Sequence, residues 1–313
     1  MHNIIKFFSH FAKIINIYFF GSFSPKVSKI SAKEKKIINF IITKKKKIHS
    51  NAEYLDTKFF ISEISNLFEL KKIRNFLRSK IALNSLFVGN RFYLIREYFS
   101  IKKNFFWKSY LPETWIGNPV PFFLDFKTSG NRLHHIYHYL KFTDFVKKEI
   151  KDYDFIFEWG GGYGSQCNLA YQANFTGTYV IYDFGELNLL QYYYLKMHEH
   201  KKIFINPKIL KKNSINLYSN KNLLKSNLDK KFENSLFISC WAISESEMKV
   251  RDDFQYIFGM FTNILLGFQE EYYNIKNYNY FHRLIKKNYK KEKIYSEKLI
   301  NNFENHYYLF VKD

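Results

Sequence analysis

The chain has 313 residues, 46% hydrophobic and 20% aromatic, enough for one large domain, or one with an elaborated end, around a well-buried core. Its net charge of +21 comes from 42 lysines and only 7 arginines among abundant Asn, Ile, Phe and Tyr. That is the codon bias of an AT-rich genome rather than a set of arginine forks for phosphate, so no nucleic-acid partner is expected. Cys167 and Cys240 have no CxxC partner and no histidine at zinc spacing, which excludes a zinc site of that kind and fits a reducing compartment.

In chain order, the first 20 residues, MHNIIKFFSHFAKIINIYFF, are apolar and aromatic but broken by Lys6, His10 and Lys13. No small-residue cleavage site follows, and no uncharged apolar run of about 18 residues occurs anywhere. Neither a signal peptide nor a spanning helix is expected, and the expected location is cytoplasmic. With the lysine run at 44–47, this segment reads either as a helix packed on the body of the protein or as an amphipathic helix on the anionic inner face of the membrane.

Residues 51–110 are expected to be helical, with Phe60, Ile64, Phe68 and Ile73 near helical spacing. A loop, LPETWIGNPVPFF, holds three of the five prolines. NRLHHIYHYLKFTDFVKKEI (131–150) is again helix-like. From residue 153 short strands alternate with helices. FIFEW, TYVIYD, KIFINP, SLFISCW, TNILLGF and the tail NHYYLFVKD read as strands. SQCNLAYQA, ELNLLQYYYLKMH, RDDFQYIFGMF and YFHRLIKKNYKK read as helices. That alternation predicts an α/β fold with a mainly parallel sheet covered on both faces. The expected domains are a basic helical region over 1–110 and an α/β domain over 111–313.

EWGGGYGS (158–165) follows the first strand, at the place where ligands bind in such sheets. It is neither the dinucleotide G-x-G-x-x-G nor a phosphate-binding Walker loop, because Gly160, Gly162 and Gly164 alternate and no lysine follows. The second strand ends in Asp183, 19 residues after Gly164, where a carboxylate can accept hydrogen bonds from ribose hydroxyls. Residues 1–50 carry a net +10, whereas residues 151–200 carry −4, so the loop lies in the acidic part of a basic chain. A cofactor with a ribose, no phosphate and a positive centre suits it, and S-adenosylmethionine is such a molecule. The competing reading is a glycine-rich turn without a ligand.

FEWGGGYGSQCNLAYQANFTGTYVIYDFGELNLLQYYYL resembles the core of the bacterial sugar O-methyltransferases, a branch of the class I S-adenosylmethionine-dependent methyltransferases. The resemblance extends through IGNP (116–119), SGNRLHHIYHYL (129–140), FISCWAISESE (237–247), FQEEY (268–272) and NHYYLF (305–310), about residues 110–313. One departure is Gly185, where the family tends to have proline. The resemblance implies a Rossmann-like sheet with an antiparallel last strand. It implies a cofactor loop of Glu158, Gly160, Gly161, Gly162 and Gly164, with Asp183 on the ribose, and Trp241 to Glu245 lining the cleft beside the methyl group. The acceptor implied is a sugar hydroxyl of a surface glycan (capsule or lipopolysaccharide) or of its nucleotide- or lipid-linked precursor.

Methyl transfer to a poor nucleophile calls for alignment and a base. His134 and His138 share one helix face, with His135 about 100° away. One of the three is the expected base, with packing against tyrosines as the alternative. The pair lacks a third ligand, so no metal is expected. Asn118 and Arg132 are expected to bind the sugar, and Asp125 is a lesser base candidate. Ser244 and Glu245 read either as substrate contacts or as an N-cap with acidic first-turn residues. Two other functions compete: a nucleic-acid methyltransferase, disfavoured by scarce arginine and the lack of an N/D-P-P-Y/F motif, and a non-catalytic membrane-peripheral protein of the same fold.

Overall fold

The computed structural model describes Ser22 and residues 30–45, 55–86, 90–300 and 305–312. The amphipathic segment expected over the first 20 residues, and Lys46 and Lys47 of the lysine run, lie outside the described residues. By compactness the chain forms two units: residues 1–140 with 189–200, and residues 141–188 with 201–313.

The first unit is mainly helical, as the spacing in residues 51–110 predicts. Its helices include Ala32–Lys45, Leu55–Asn66, Lys80–Ser85 and Tyr93–Lys103, with the first part of Gly130–Val146 and most of Gly185–Met197. Ile64, Phe68 and Ile73 are buried, although the helix that starts at Leu55 stops at Asn66. A buried polar centre ties distant segments together: the Glu34 carboxylate accepts from Arg74 Nε at 3.0 Å and from the Tyr193 hydroxyl at 2.9 Å. The end of the proline-containing loop forms a small hairpin, β1 (Pro121–Phe122) and β2 (Asp125–Ser129), that the sequence reading missed.

The second unit is built on one sheet. Its strands are β3 (Phe155–Trp159), β4 (Thr178–Tyr182), β5 (Ile203–Ile205), β6 (Ile215–Tyr218), β7 (Phe232–Cys240) and β8 (Phe261–Gln269). A two-stranded ribbon, β9 (Glu271–Tyr272) and β10 (Ile275–Lys276), stands apart; β11 (Ile294–Ile300) and β12 (Asn305–Val311) complete the sheet. The order is β11-β12-β8-β7-β3-β4-β6-β5. Neighbours from β8 through β5 pair in parallel, and β12 is antiparallel to both β8 and β11. This is the expected mostly parallel α/β sheet with an antiparallel last strand.

β3 sits at the centre, between β4 and β7, and all five of its residues are buried. Phe155, Phe157 and Trp159 face one layer, packing with Phe237, Phe254, Phe258 and Phe261 in the main apolar core. Burial of each such side chain stabilises by about 1.5–3 kcal/mol. Ile156 and Glu158 alternate to the other side of the sheet, as strand geometry requires. β6, β9, β10 and β11 were not foreseen. The expected helix over 251–261 is an α-helix, Met248–Phe254, followed by a 3₁₀ segment, Gln255–Met260.

Candidate functional site

In the second unit the glycine loop leaves the carboxyl end of β3 and enters the Ser165–Gln172 helix. Gly160 N donates to Tyr182 O at 2.9 Å and Gly164 N to Gly161 O at 2.8 Å. Gly160, Gly162 and Gly164 have φ of 75°, 54° and 91°, in the left-handed region that side chains disfavour. Space adds a second demand. A Cβ on Gly160 would lie 2.0 Å from the Ala242 Cβ, and one on Gly161 would lie 2.6 Å from Ile181 Cγ2. The backbone is therefore bare for two reasons, torsional and steric.

Asp183, directly after β4, closes the other side of this loop. Its N–H donates to Tyr218 O at 2.9 Å, so β6 holds it in place. Its Oδ2 accepts from Gly162 N at 3.2 Å and its Oδ1 from Phe184 N at 2.9 Å. Asp183 is partly exposed and can meet a ligand.

Glu158 is different. It is buried, and its Oε2 accepts the Tyr179 hydroxyl at 2.8 Å. Burial pushes its carboxyl up to about 8, with repulsion from Asp183 adding and the Tyr179 hydrogen bond opposing. At neutral pH it is mainly protonated, a structural member beneath the loop. Cys167 and Cys240 are both pushed up, chiefly by burial, and neither is a thiolate near neutral pH.

The turn after β7 is held by a buried guanidinium. Trp241 has φ 69°, its N–H donates to Gly267 O at 2.6 Å, and its indole Nε1 donates to His306 Nδ1 at 3.0 Å. Ser244 is fully buried, its Oγ lying 2.6 Å from Trp241 O and 2.7 Å from Gln269 Oε1. Arg251, also fully buried, donates to Ser244 O at 2.5 Å, Ser246 O at 2.8 Å and Asn277 Oδ1 at 2.7 Å. Glu245 is exposed. The capping reading of Ser244 is corrected, because the Met248–Phe254 helix starts after Glu247 without a side-chain cap.

The remaining expected site residues lie in the first unit. Asn118, at φ 56°, donates its Nδ2 to Asn75 Oδ1 at 2.6 Å, and its carbonyl accepts from Arg78 Nε at 2.9 Å. Arg132 is buried, with Nε on Tyr110 O at 2.8 Å. Asp125 Oδ2 accepts from the Tyr98 hydroxyl at 3.1 Å. His134 and His138 do share a helix face, their ring centroids 4.2 Å apart. His134 Nδ1 lies 2.9 and 3.1 Å from the two oxygens of buried Glu97, a partner the sequence reading did not name. Burial pushes the Glu97 carboxyl up, and His134 opposes this. Burial and the His134 charge lower His138 well below the usual imidazole range, and His135 to about 3. Among the described residues, no group of three or more His, Cys, Asp or Glu side chains is placed to hold a metal ion.

Three supporting residues escaped the sequence reading, Tyr179, Glu97 and Arg251, whereas Ala242 lies within the 241–245 segment expected to line the cleft. Only Tyr179 had a local signal, since TYVIY places 179 and 181 on one strand face.

No family model matches the chain, and no curated relative matches it in sequence. Solved structures with a likeness include human N-acetylserotonin methyltransferase in complex with SAM, at 10% identity over 53% of this chain and 49% of that one, with a TM-score of 0.33. The SAH-bound Podospora anserina methyltransferase PaMTH1 has 13% identity over 74% of this chain and 92% of that one, TM-score 0.33. The bifunctional kinase-methyltransferase WbdD has 10% identity over 58% and 39%, TM-score 0.35. The chain thus spans about half the length of the first and less of the third. Likenesses at this level bear on neither activity nor substrate.

Proposed function

We propose that the chain is an S-adenosylmethionine-dependent methyltransferase whose acceptor is a sugar hydroxyl of a surface glycan or its precursor. One observation carries the cofactor: three left-handed glycines between β3 and a helix, cross-tied by the Gly162 N–H to the partly exposed Asp183 carboxylate at the end of β4. The residues fit the group. Gly160, Gly162 and Gly164 carry no side chain at left-handed positions of the loop, which would leave its backbone open to a ligand, and partly exposed Asp183 would accept ribose hydroxyls. Glu158 would support the loop from below, and Trp241 would stand at its far side. When bound, the cofactor supplies a methyl group already activated on a sulfonium.

The chain's own contribution is orientation, worth about 7–11 kcal/mol in favourable cases, and a base for the hydroxyl proton, worth roughly 10²- to 10⁴-fold. His134 is the proposed base. Its Nδ1 lies 2.9 Å from a Glu97 carboxylate oxygen, an arrangement that orients an imidazole. His135, lowered to about 3, is too weak a base near neutral pH. The sugar acceptor is supported by the resemblance of the segments at 116–119, 129–140 and 237–247, and in the second unit exposed Glu245 is its proposed contact. Ser244, buried in the Arg251 network, is proposed to shape that turn.

Isothermal titration with S-adenosylhomocysteine tests the cofactor. Asp183→Ala removes two charge-assisted hydrogen bonds at about 1.5 kcal/mol or more each, so affinity should fall on the order of 100-fold. Unchanged affinity, or equal binding of NAD by the parent, overturns the reading. Radiolabelled methyl transfer to nucleotide- and lipid-linked sugars against total RNA tests the acceptor. Label entering RNA alone replaces the sugar with a nucleic acid.

A further inference from the structure

The Tyr93–Lys103 helix buries Leu94, Glu97, Tyr98 and Ile101. Its opposite face carries Phe92, Arg96, Phe99 and Lys103, at steps of four, three and four, the spacing of one helical stripe. Phe92 is 77% exposed and Phe99 54%. Just beyond the helix Phe105 is 85% exposed, with Lys108 Nζ 4.7 Å from its ring centre. The β1–β2 hairpin is fastened beside this helix through the Tyr98–Asp125 hydrogen bond and through Asn90, which bonds Pro121 O and Phe123 N. It adds the exposed side chains of Leu124, Phe126 and Lys127.

Four phenylalanines and a leucine thus stand in water, interleaved with exposed Arg96, Lys102, Lys103, Lys108 and Lys127. The three carboxylates of residues 90–127 do not balance them. Glu97, Glu113 and Asp125 stand against Arg91, Arg96, Lys102, Lys103, Lys108 and Lys127, and Glu97 is buried on His134. Isolated apolar side chains on a surface are ordinary, but a stripe of large aromatics rimmed by one sign of charge marks an interaction surface.

We propose that this face docks on an anionic lipid surface. The phenylalanines would enter the boundary between headgroups and acyl chains, while the long cationic side chains reach back to lipid phosphates. Charge selects this occupant over the others. A second copy would bring the same cations face to face, and residues 1–33 contain no Asp or Glu to complement them. The surface is distinct from the basic stretch at 44–47, and it does not depend on the methyltransferase reading.

The full chain is sedimented with large vesicles of phosphatidylglycerol and phosphatidylcholine, and with phosphatidylcholine alone, at physiological salt. Three double variants accompany the parent: Phe92→Ser/Phe99→Ser, Arg96→Gln/Lys103→Gln, and Lys230→Gln/Lys231→Gln. The last pair is exposed in the other unit and matches the charge change of the second. The parent should bind the anionic vesicles at least about tenfold better than neutral ones. The serine pair should lose about tenfold or more without any change of charge. The Arg96/Lys103 pair should lose roughly 25-fold, from about fivefold per cation near the surface, and Lys230/Lys231 much less. All substituted side chains are exposed, so melting temperatures should stay close to the parent's. No vesicle binding, or equal losses in both charge variants with none in the serine pair, overturns the proposal. So does a parent dimer that the serine pair dissociates, which would make the face an interface between copies.

Discussion

Replacing Glu158 by glutamine tests whether the carboxyl beneath the glycine loop is neutral by design. The substitution keeps the shape and keeps an oxygen to accept the Tyr179 hydroxyl. Burial raises the native carboxyl to about 8, whereas an unfolded Glu titrates near 4.5. Between those values the native state holds a proton that the unfolded state has released, so stability falls as pH rises. At 1.36 kcal/mol per unit, a gap of about 3.5 units costs the parent on the order of 5 kcal/mol by pH 8 and above, and nothing below pH 4.5. Glutamine cannot ionise and escapes that loss. Urea denaturation of both proteins at pH 5, 6.5 and 8.5 reads the effect as a difference, in which every other titrating group cancels. Glu158→Gln should be close to the parent at pH 5 and more stable by several kcal/mol at pH 8.5. A stability difference that is flat across this range refutes the buried, protonated Glu158.

Gly160→Ala puts a methyl 2.0 Å from the Ala242 Cβ at a φ of 75°, so titration should show S-adenosylhomocysteine binding weakened at least about tenfold. Adding Ala242→Gly relieves the collision but not the torsion and should recover only part of the loss; full recovery would refute the torsional half of the argument. Arg251→Met leaves the buried carbonyls of Ser244 and Ser246 without their guanidinium donors, which should cost about 3 kcal/mol in urea denaturation. A cost below about 0.5 kcal/mol would mean that the turn does not need Arg251. His135, lowered to about 3 in the native state, should resist protonation while the unfolded state binds a proton below about pH 6.5. The parent should therefore lose stability on acidification, and His135→Gln should remove about 2 kcal/mol of that loss by pH 5. Parallel acid profiles would refute it.

The histidine segment shows how a site can be half legible. An i, i+4 pair on one helix face follows from 3.6 residues per turn, and the rings of His134 and His138 do meet. What distinguishes the three histidines is the Glu97 carboxylate, brought from 37 residues earlier by the packing of two helices. The same division runs through the turn after β7. SESEMKVRDDF looks like a capped helix start, but Ser244 turns inward because Arg251, Gln269 and Asn277 surround it.

The sequence by itself determined the α/β alternation, the parallel sheet, the loop at the end of its central strand and the position of Asp183. Each is written in local quantities: strand alternation, helix period, glycine torsion and a short spacing. It did not show β6 or β11. β6 is four residues, INLY, held as a strand by its neighbours β4 and β5. β11 lies at the sheet edge, where SEK in its middle is tolerated because one side needs no partner. Tertiary structure alone decided that Gly160 must be bare against Ala242, that Glu158 sits protonated under Tyr179, and that Arg251 organises the turn beside the loop. Those outcomes depend on burial and on side-chain contacts between different elements of the fold. Desolvation, which sets the charge of a carboxyl, is a property of the whole packed environment and is not encoded in any short stretch of chain.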